Sequence, residues 1–177
     1  MQLTKMQGGG LVEVLIALVL MALGLMGMLS AHSAALRLTK LSEHRNIAMW
    51  LAQDLGERVR ANRGRLASAD MVGAAYVINL DAAAQAQATA LSDELCNRPQ
   101  SACSMSQMAA ADLAQWRVLV RERLPRGVVW VNYSLGTLDI WVAWVEAAGD
   151  ETLASTCPSG LRVSDAALRC IQWPLSL

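Results

Sequence analysis

The sequence predicts an α+β fold: a long N-terminal helix, half membrane-spanning and half amphipathic, packed on a small antiparallel sheet with an extra helix and stapled by disulfides. Three observations predict it. An oily run at residues 7–29, "QGGGLVEVLIALVLMALGLMGML", continues directly into an amphipathic pattern that ends near residue 63. Two neighbouring runs late in the chain, "VVWVNYSL" and "LDIWVAWVEA", are rich in β-branched and aromatic residues. Finally, all four cysteines lie beyond the long helix. A chain of 177 residues has room for about one domain.

The helix comes first. Between Glu13 and Arg37 there is no Asp, Glu, Lys or Arg over 23 residues, and a membrane helix needs about 20 apolar ones. A secretory signal would have a shorter apolar core, about 7–15 residues, and a small-residue cleavage site after it. This run is longer and carries on past Met28 as helix. Lys5 is the only charge before it, which puts residues 1–8 on the cytoplasmic side and the bulk of the chain outside. Cys96, Cys103, Cys157 and Cys170 then face an oxidising compartment.

In the outer half of the helix Leu41, Ile47, Ala48, Leu51, Leu55 and Val59 share one face, opposite Glu43, Asn46, Gln53, Glu57 and Arg60. Glycine is common in membrane helices, so Gly24 and Gly27 need no special role. Gly64 supplies a stop, and Arg58, Arg60, Arg63 and Arg65 suit the negative helix end better than a nucleic-acid patch. Residues 66–80 show no clear period, and "DAAAQAQATALSDEL" is helix-prone, though its low complexity also fits a mobile loop.

A second helix is predicted over "SMSQMAAADLAQWRVLVRERLPRG". Ser104 and Gln107 form its capping box, Leu113, Trp116, Val120 and Leu124 its core stripe, and Pro125 with Gly127 its end. The two strand runs read as a hairpin joined at Gly136-Thr137. Trp130, Tyr133, Trp141 and Trp144 read as packing residues in preference to a stacking platform. The chain end, "CIQWPLSL", adds one short edge strand, where Pro174 is tolerated.

Four cysteines allow three pairings. Local bridges, Cys96–Cys103 across six intervening residues and Cys157–Cys170 across twelve, are the simplest, and each commonly stabilises by about 2–4 kcal/mol. The spacings do not suit zinc, and His32 and His44 lie far off on the helix, so neither metal nor cofactor is expected. The net charge of +0 gives no electrostatic footprint for nucleic acid. With no Ser/His/acid or Cys/His set and no phosphate loop, an enzyme is the weakest reading.

Glu13 needs its own account. An ionised carboxylate at a bilayer centre costs about 2.5–3.5 kcal/mol and usually has a partner. Nearer the edge it can snorkel and gain about 0.3–1 kcal/mol from the helix dipole. The order of elements goes further: a short leader with Lys5, then Gly8, then an acid five residues on, then an apolar helix. That order resembles the N-terminus of type IV pilins and pseudopilins.

The resemblance implies a pilin-like fold and cleavage after Gly8 by a prepilin peptidase, with N-methylation of Gly9 as the new terminus. It also implies docking through Glu13, which would pair with an N-terminal amine in a growing filament. Gly9 stands where the family usually has Phe, and Gly10 where it has a hydroxyl residue. The register therefore rests on Glu13, and the run Gly8-Gly9-Gly10 leaves neighbouring cuts open. The organisation implied is a leader at 1–8, the membrane half of the helix at 9–30, its amphipathic half at 31–63 and a periplasmic head at 64–177.

"ERVRANR", and the run from Cys103 through Asp112-Leu113-x-x-Trp116 to Leu-Pro-x-Gly, further resemble the PilV-type minor pilins. This implies a minor pilin that joins other minor pilins in a tip complex, primes pilus assembly and serves adhesion or twitching motility. The implied partners are those pilins, the major pilin, the prepilin peptidase, the inner-membrane assembly platform and a tip adhesin. The implied location is a single pass of the inner membrane, then the pilus tip. A type II secretion pseudopilin, or a tip module that binds DNA or a surface, are the alternatives.

Overall fold

The computed structural model describes residues 9–63, 68–79, 82–89, 96, 103–146, 157–158, 161 and 167–177. Helix α1 covers Gly9–Arg63. The chain divides into two units, Met1–Ser42 and Glu43–Leu177.

In the first unit every described side chain from Gly10 to Lys40 is exposed. Helix α1 is long and apolar enough to cross a membrane, and its most apolar stretch buries nothing within the protein. That exposure has a simple cause. Leu, Val, Met and Ala stand all round this part of the helix, so no single stripe is marked out for a core.

The second unit is an α+β head. Its sheet runs β1 (Ile78–Asn79), β2 (Val128–Ser134), β3 (Thr137–Val145) and β4 (Leu168–Ser176), in that order and antiparallel throughout. Period-2 alternation sends Val129, Val131, Leu138, Ile140, Val142, Ile171 and Leu175 to one face. There they meet Ala48, Leu51, Ala52, Leu55 and Val59 of α1, and Trp116 and Val120 of α4 (Met105–Arg123). Of the stripe read from the outer half of α1, Ala48, Leu51, Leu55 and Val59 are buried and Ile47 packs against them, with Ala52 added; Leu41 is not part of this core. Each fully buried Val or Leu in it contributes roughly 1.5–3 kcal/mol of hydrophobic stabilisation before entropy is counted.

Helix α4 begins as its sequence predicts. Ser104 Oγ accepts from the Gln107 backbone N–H while Gln107 Oε1 accepts from the Ser104 N–H, a complete capping box. It ends at Leu124, where Gly127 N–H donates to the Leu124 carbonyl at 3.1 Å across Pro125 and Arg126. Pro125 presets the first corner of that turn, and Arg126 takes the positive φ of 50° at the second.

The structure corrects or extends four local expectations. The hairpin turns at Leu135-Gly136, not Gly136-Thr137: Ser134 pairs with Thr137, and Leu135 and Gly136 have φ of 48° and 80°. Positive φ at both central positions is what the right-handed twist of the flanking strands asks of a two-residue turn. The usual signal for such a turn, Asn-Gly, is absent, because a leucine occupies the first position. Residues 66–80, without period, hold α2 (Ala69–Ala75) and β1. Among the described residues of the Ala/Gln stretch, α3 covers Ala82–Ala86. The chain end forms not a short strand but nine residues of β4, with Pro174 on the sheet edge. Gly64 and Arg65 lie outside the described residues.

Leu135 is fully exposed and makes the turn at a steric cost of about 1–2 kcal/mol. Leu135→Asn is therefore expected to raise stability by about 0.5–1 kcal/mol, read as a later urea midpoint with an unchanged slope. A midpoint that stays put would show that the leucine is not strained.

Candidate functional site

Two regions carry the residues singled out in the sequence. The first is the exposed apolar surface of α1. Glu13 lies in it with its side chain exposed, flanked by Leu11, Val12, Val14 and Leu15, also exposed. The next Asp, Glu, Lys or Arg along the chain is Arg37. A carboxylate isolated in this way has one chemical capacity here: it can accept from, and pair with, a cation brought by another group. Gly9 is the first residue of α1. Gly8 and the leader 1–8 lie outside the described residues.

The second region is the brace between α1 and α4 in the head, and it explains the Asp-Leu-x-x-Trp run. Asp112 and Trp116 stand four residues apart, so both point toward α1. The Trp116 indole, fully buried, donates to the Leu51 carbonyl at 2.7 Å. Asp112 Oδ2 accepts the Tyr76 hydroxyl at 2.6 Å, and its Oδ1 faces Arg58 Nη1 at 3.6 Å. Asn62 Nδ2 donates to the Tyr76 oxygen at 3.0 Å and to the Met105 carbonyl at 3.2 Å. Burial, then the hydrogen bond to Asp112, pushes the Tyr76 hydroxyl well above its ordinary range, so it stays protonated and keeps donating.

Sequence reasoning missed Tyr76, Asn62, Gln85 and Arg117. Gln85 is fully buried and exchanges two hydrogen bonds with Arg117: its Nε2 donates to the Arg117 carbonyl and its Oε1 accepts from Arg117 Nε, each at 3.0 Å. Arg117 Nη2 also donates to the Ala84 carbonyl at 2.9 Å, and burial lowers the guanidinium's pKa. A buried polar residue in an Ala-rich stretch was the one available signal, since such a group needs a partner. Tyr133 donates to Asp70 at 2.5 Å, which raises its own pKa. A β-carbon at Gly73 would run into the Tyr133 ring, so α2 can seat there only because that residue is glycine.

Among the arginines at the end of α1, Arg58 and Arg60 are engaged by acidic partners. Arg58 Nε pairs with Asp54 Oδ2 at 3.0 Å and its Nη1 donates to Gln115 Oε1 at 2.7 Å, while Arg60 pairs with Glu57 at 2.5 Å. Arg60 and Arg63 do occupy the last turn. Of the aromatic residues, Trp144 lies in the core and Tyr133 packs against it. Trp130 and Trp141 instead pack on the opposite face of the sheet, in a smaller cluster with Val128, Ala143 and Leu161.

Disulfides join Cys96 to Cys103 and Cys157 to Cys170, each with Cα atoms 5.7 Å apart. The first precedes the Ser104 cap of α4, and the second ties position 157 to β4. Among the described residues no cluster of His, Cys, Asp and Glu has the makings of a metal site.

No curated protein and no solved structure matches the chain. A family model does, over residues 32–114: Tt1218-like, described as type IV pilin Tt1218. The matched stretch takes in the amphipathic half of α1, then α2, β1 and α3, and the first half of α4 with Asp112. It begins after Glu13 and stops before Trp116 and the hairpin. Across residues 32–114 the chain is thus similar to a type IV pilin, a structural family, and the similarity supports a pilin role.

Proposed function

We propose that the protein is a minor pilin of the PilV type that joins other minor pilins in a tip complex and primes type IV pilus assembly. The observation that carries the reading is a single carboxylate, Glu13, near the start of an exposed apolar helix, in a chain whose next part is similar to a type IV pilin. The apolar surface anchors the subunit in the inner membrane, and its head lies in the periplasm, where the cysteines oxidise. A prepilin peptidase cuts after Gly8, and Gly9 is methylated. In the fibre the same apolar surface leaves lipid for the helices of neighbouring subunits, so little hydrophobic stabilisation is lost in the transfer. Glu13 supplies what the apolar contacts lack, a charged register mark. The family match is to a pilus subunit, which supports this reading above a type II secretion pseudopilin.

One experiment tests processing and partners together. The tagged protein, extracted from membranes in detergent, is analysed by intact-mass spectrometry and its co-purifying proteins are identified. The expected chain begins at methylated Gly9 and brings other minor pilins with it. A chain beginning at Met1, or near Ser30 or beyond, overturns the reading. One beginning at Gly10 keeps the class and moves the register by a residue.

A further inference from the structure

The outer face of the sheet has a composition that the pilin reading does not use. One row crosses all four strands, Asn79, Trp130, Trp141 and Gln172, by the register of the three strand pairs. The next row carries Asn132 opposite Asp139. These positions alternate with the core residues Val131 and Ile140, so they share the face turned away from α1 and α4.

The side chains there are held. Trp130 donates its indole N–H to Asn79 Oδ1 at 3.0 Å, and Gln172 donates from Nε2 to Asp139 Oδ1 at 2.8 Å. Both indoles are half-buried against the cluster of Val128, Ala143 and Leu161, which backs them without covering them fully. Among the described residues, these bonds leave the Asn79 amide nitrogen, the second Asp139 oxygen and the Gln172 oxygen without a further partner.

We infer that this face binds a neutral oligosaccharide, with the Trp130 and Trp141 indoles against the C–H faces of the sugar rings and Asn79, Asp139 and Gln172 on their hydroxyls. Charge decides the class of ligand. Asp139 is the one ionisable side chain of the six, and no Lys or Arg stands among them. A polyanion would find no counter-charge here, and a basic peptide only a single carboxylate already engaged by Gln172. A sugar with equatorial hydroxyls asks for what the rows contain: an apolar step beside paired amide and carboxylate groups. Adjacent strands lie about 4.8 Å apart, so the two indoles form one step and not two separate sites.

The test uses the full chain in a zwitterionic detergent without a sugar headgroup, with chitotetraose and cellotetraose as probes in saturation-transfer NMR and titration calorimetry. Transfer to the ring protons of at least one probe is expected, with Trp141→Ala and Asp139→Asn each weakening binding about tenfold or more. Arg60→Ala, on the far side of the head's fold in α1, should bind as the parent does. If Trp141→Ala loses its circular-dichroism signature, Asp139→Asn and Gln172→Ala carry the test. The inference is overturned if neither probe binds the parent chain, or if the folded variants bind unchanged. It is equally overturned if Trp141→Ala abolishes self-association of a parent that takes up no sugar, since the occupant is then a second copy. The assay needs no filament, so its failure leaves the assembly reading intact.

Discussion

Glu13→Gln is expected to leave the protein made, cleaved and in the membrane, while surface fibres and recovery of partner pilins fall about tenfold or more. The proposed role is charge pairing with the positive N-terminal amine of the same or a neighbouring subunit. Gln keeps the shape and much of the hydrogen bonding but removes the charge, so that amine enters a low-dielectric helix bundle without its partner. An unpaired charge at a bilayer centre costs about 2.5–3.5 kcal/mol, and every 1.4 kcal/mol is tenfold in an equilibrium. Even a fraction of that penalty, at a site nearer the edge, is therefore measurable. Glu13→Asp keeps the charge with a shorter reach and should be milder. If Glu13 only snorkels, neither change matters, because about 0.3–1 kcal/mol of dipole stabilisation is small beside the insertion energy of the run. Normal fibre counts and partner recovery with Gln, at matched protein levels, would remove the pairing mechanism and leave the anchor intact.

Trp116→Ala is expected to cost the head about 3–5 kcal/mol, the usual range for an aromatic core residue truncated to alanine. The indole is fully buried between α1, α4 and the sheet, and its removal leaves a cavity that the surrounding helices cannot close without sliding. Domains are stable by only about 5–15 kcal/mol, so the variant should melt well below the parent and be depleted in membranes. Trp116→Phe separates packing from hydrogen bonding. It keeps an aromatic ring but loses the N–H to Leu51, and a neutral hydrogen bond is worth about 0.5–1.5 kcal/mol. Part of its loss will come from the smaller ring. A urea midpoint for Trp116→Ala within error of the parent would show that the α1–α4 brace does not hold the head together.

How much of this was legible beforehand follows from the distance over which each interaction acts. The long helix, the buried stripe from Ile47 to Val59, the Ser104–Gln107 cap and the two hairpin strands are written in spacings of two to four residues. Such spacings show in one dimension, because the physics behind them is local: a 3.6-residue turn, a two-residue pleat, an unpaired N–H at a helix start. The isolation of Glu13 was equally plain, since only the order of residues is needed to see one acid ahead of a long uncharged run. The Asp-Leu-x-x-Trp run was visible as a pattern, but its use was not. Asp112 finds Tyr76 and Arg58, and Trp116 finds Leu51, across gaps in sequence that no periodicity spans.

Tertiary structure alone decided the rest. Strand β1 is two residues long and exists because Ile78 and Asn79 pair with Val131 and Trp130; in isolation so short a segment has no preference to express. Among its described residues, the Ala/Gln stretch is helical over Ala82–Ala86, in the neighbourhood where Gln85 meets Arg117 of α4. Leu135 sits at positive φ because the strands on either side are already paired to Ser134 and Thr137, and their packing outweighs a local steric cost. Trp130 and Trp141, which face away from the core, were indistinguishable in sequence from Trp144, which faces into it. Which side of a sheet is inside depends on where the helices lie, and that is settled by burying the larger apolar surface first.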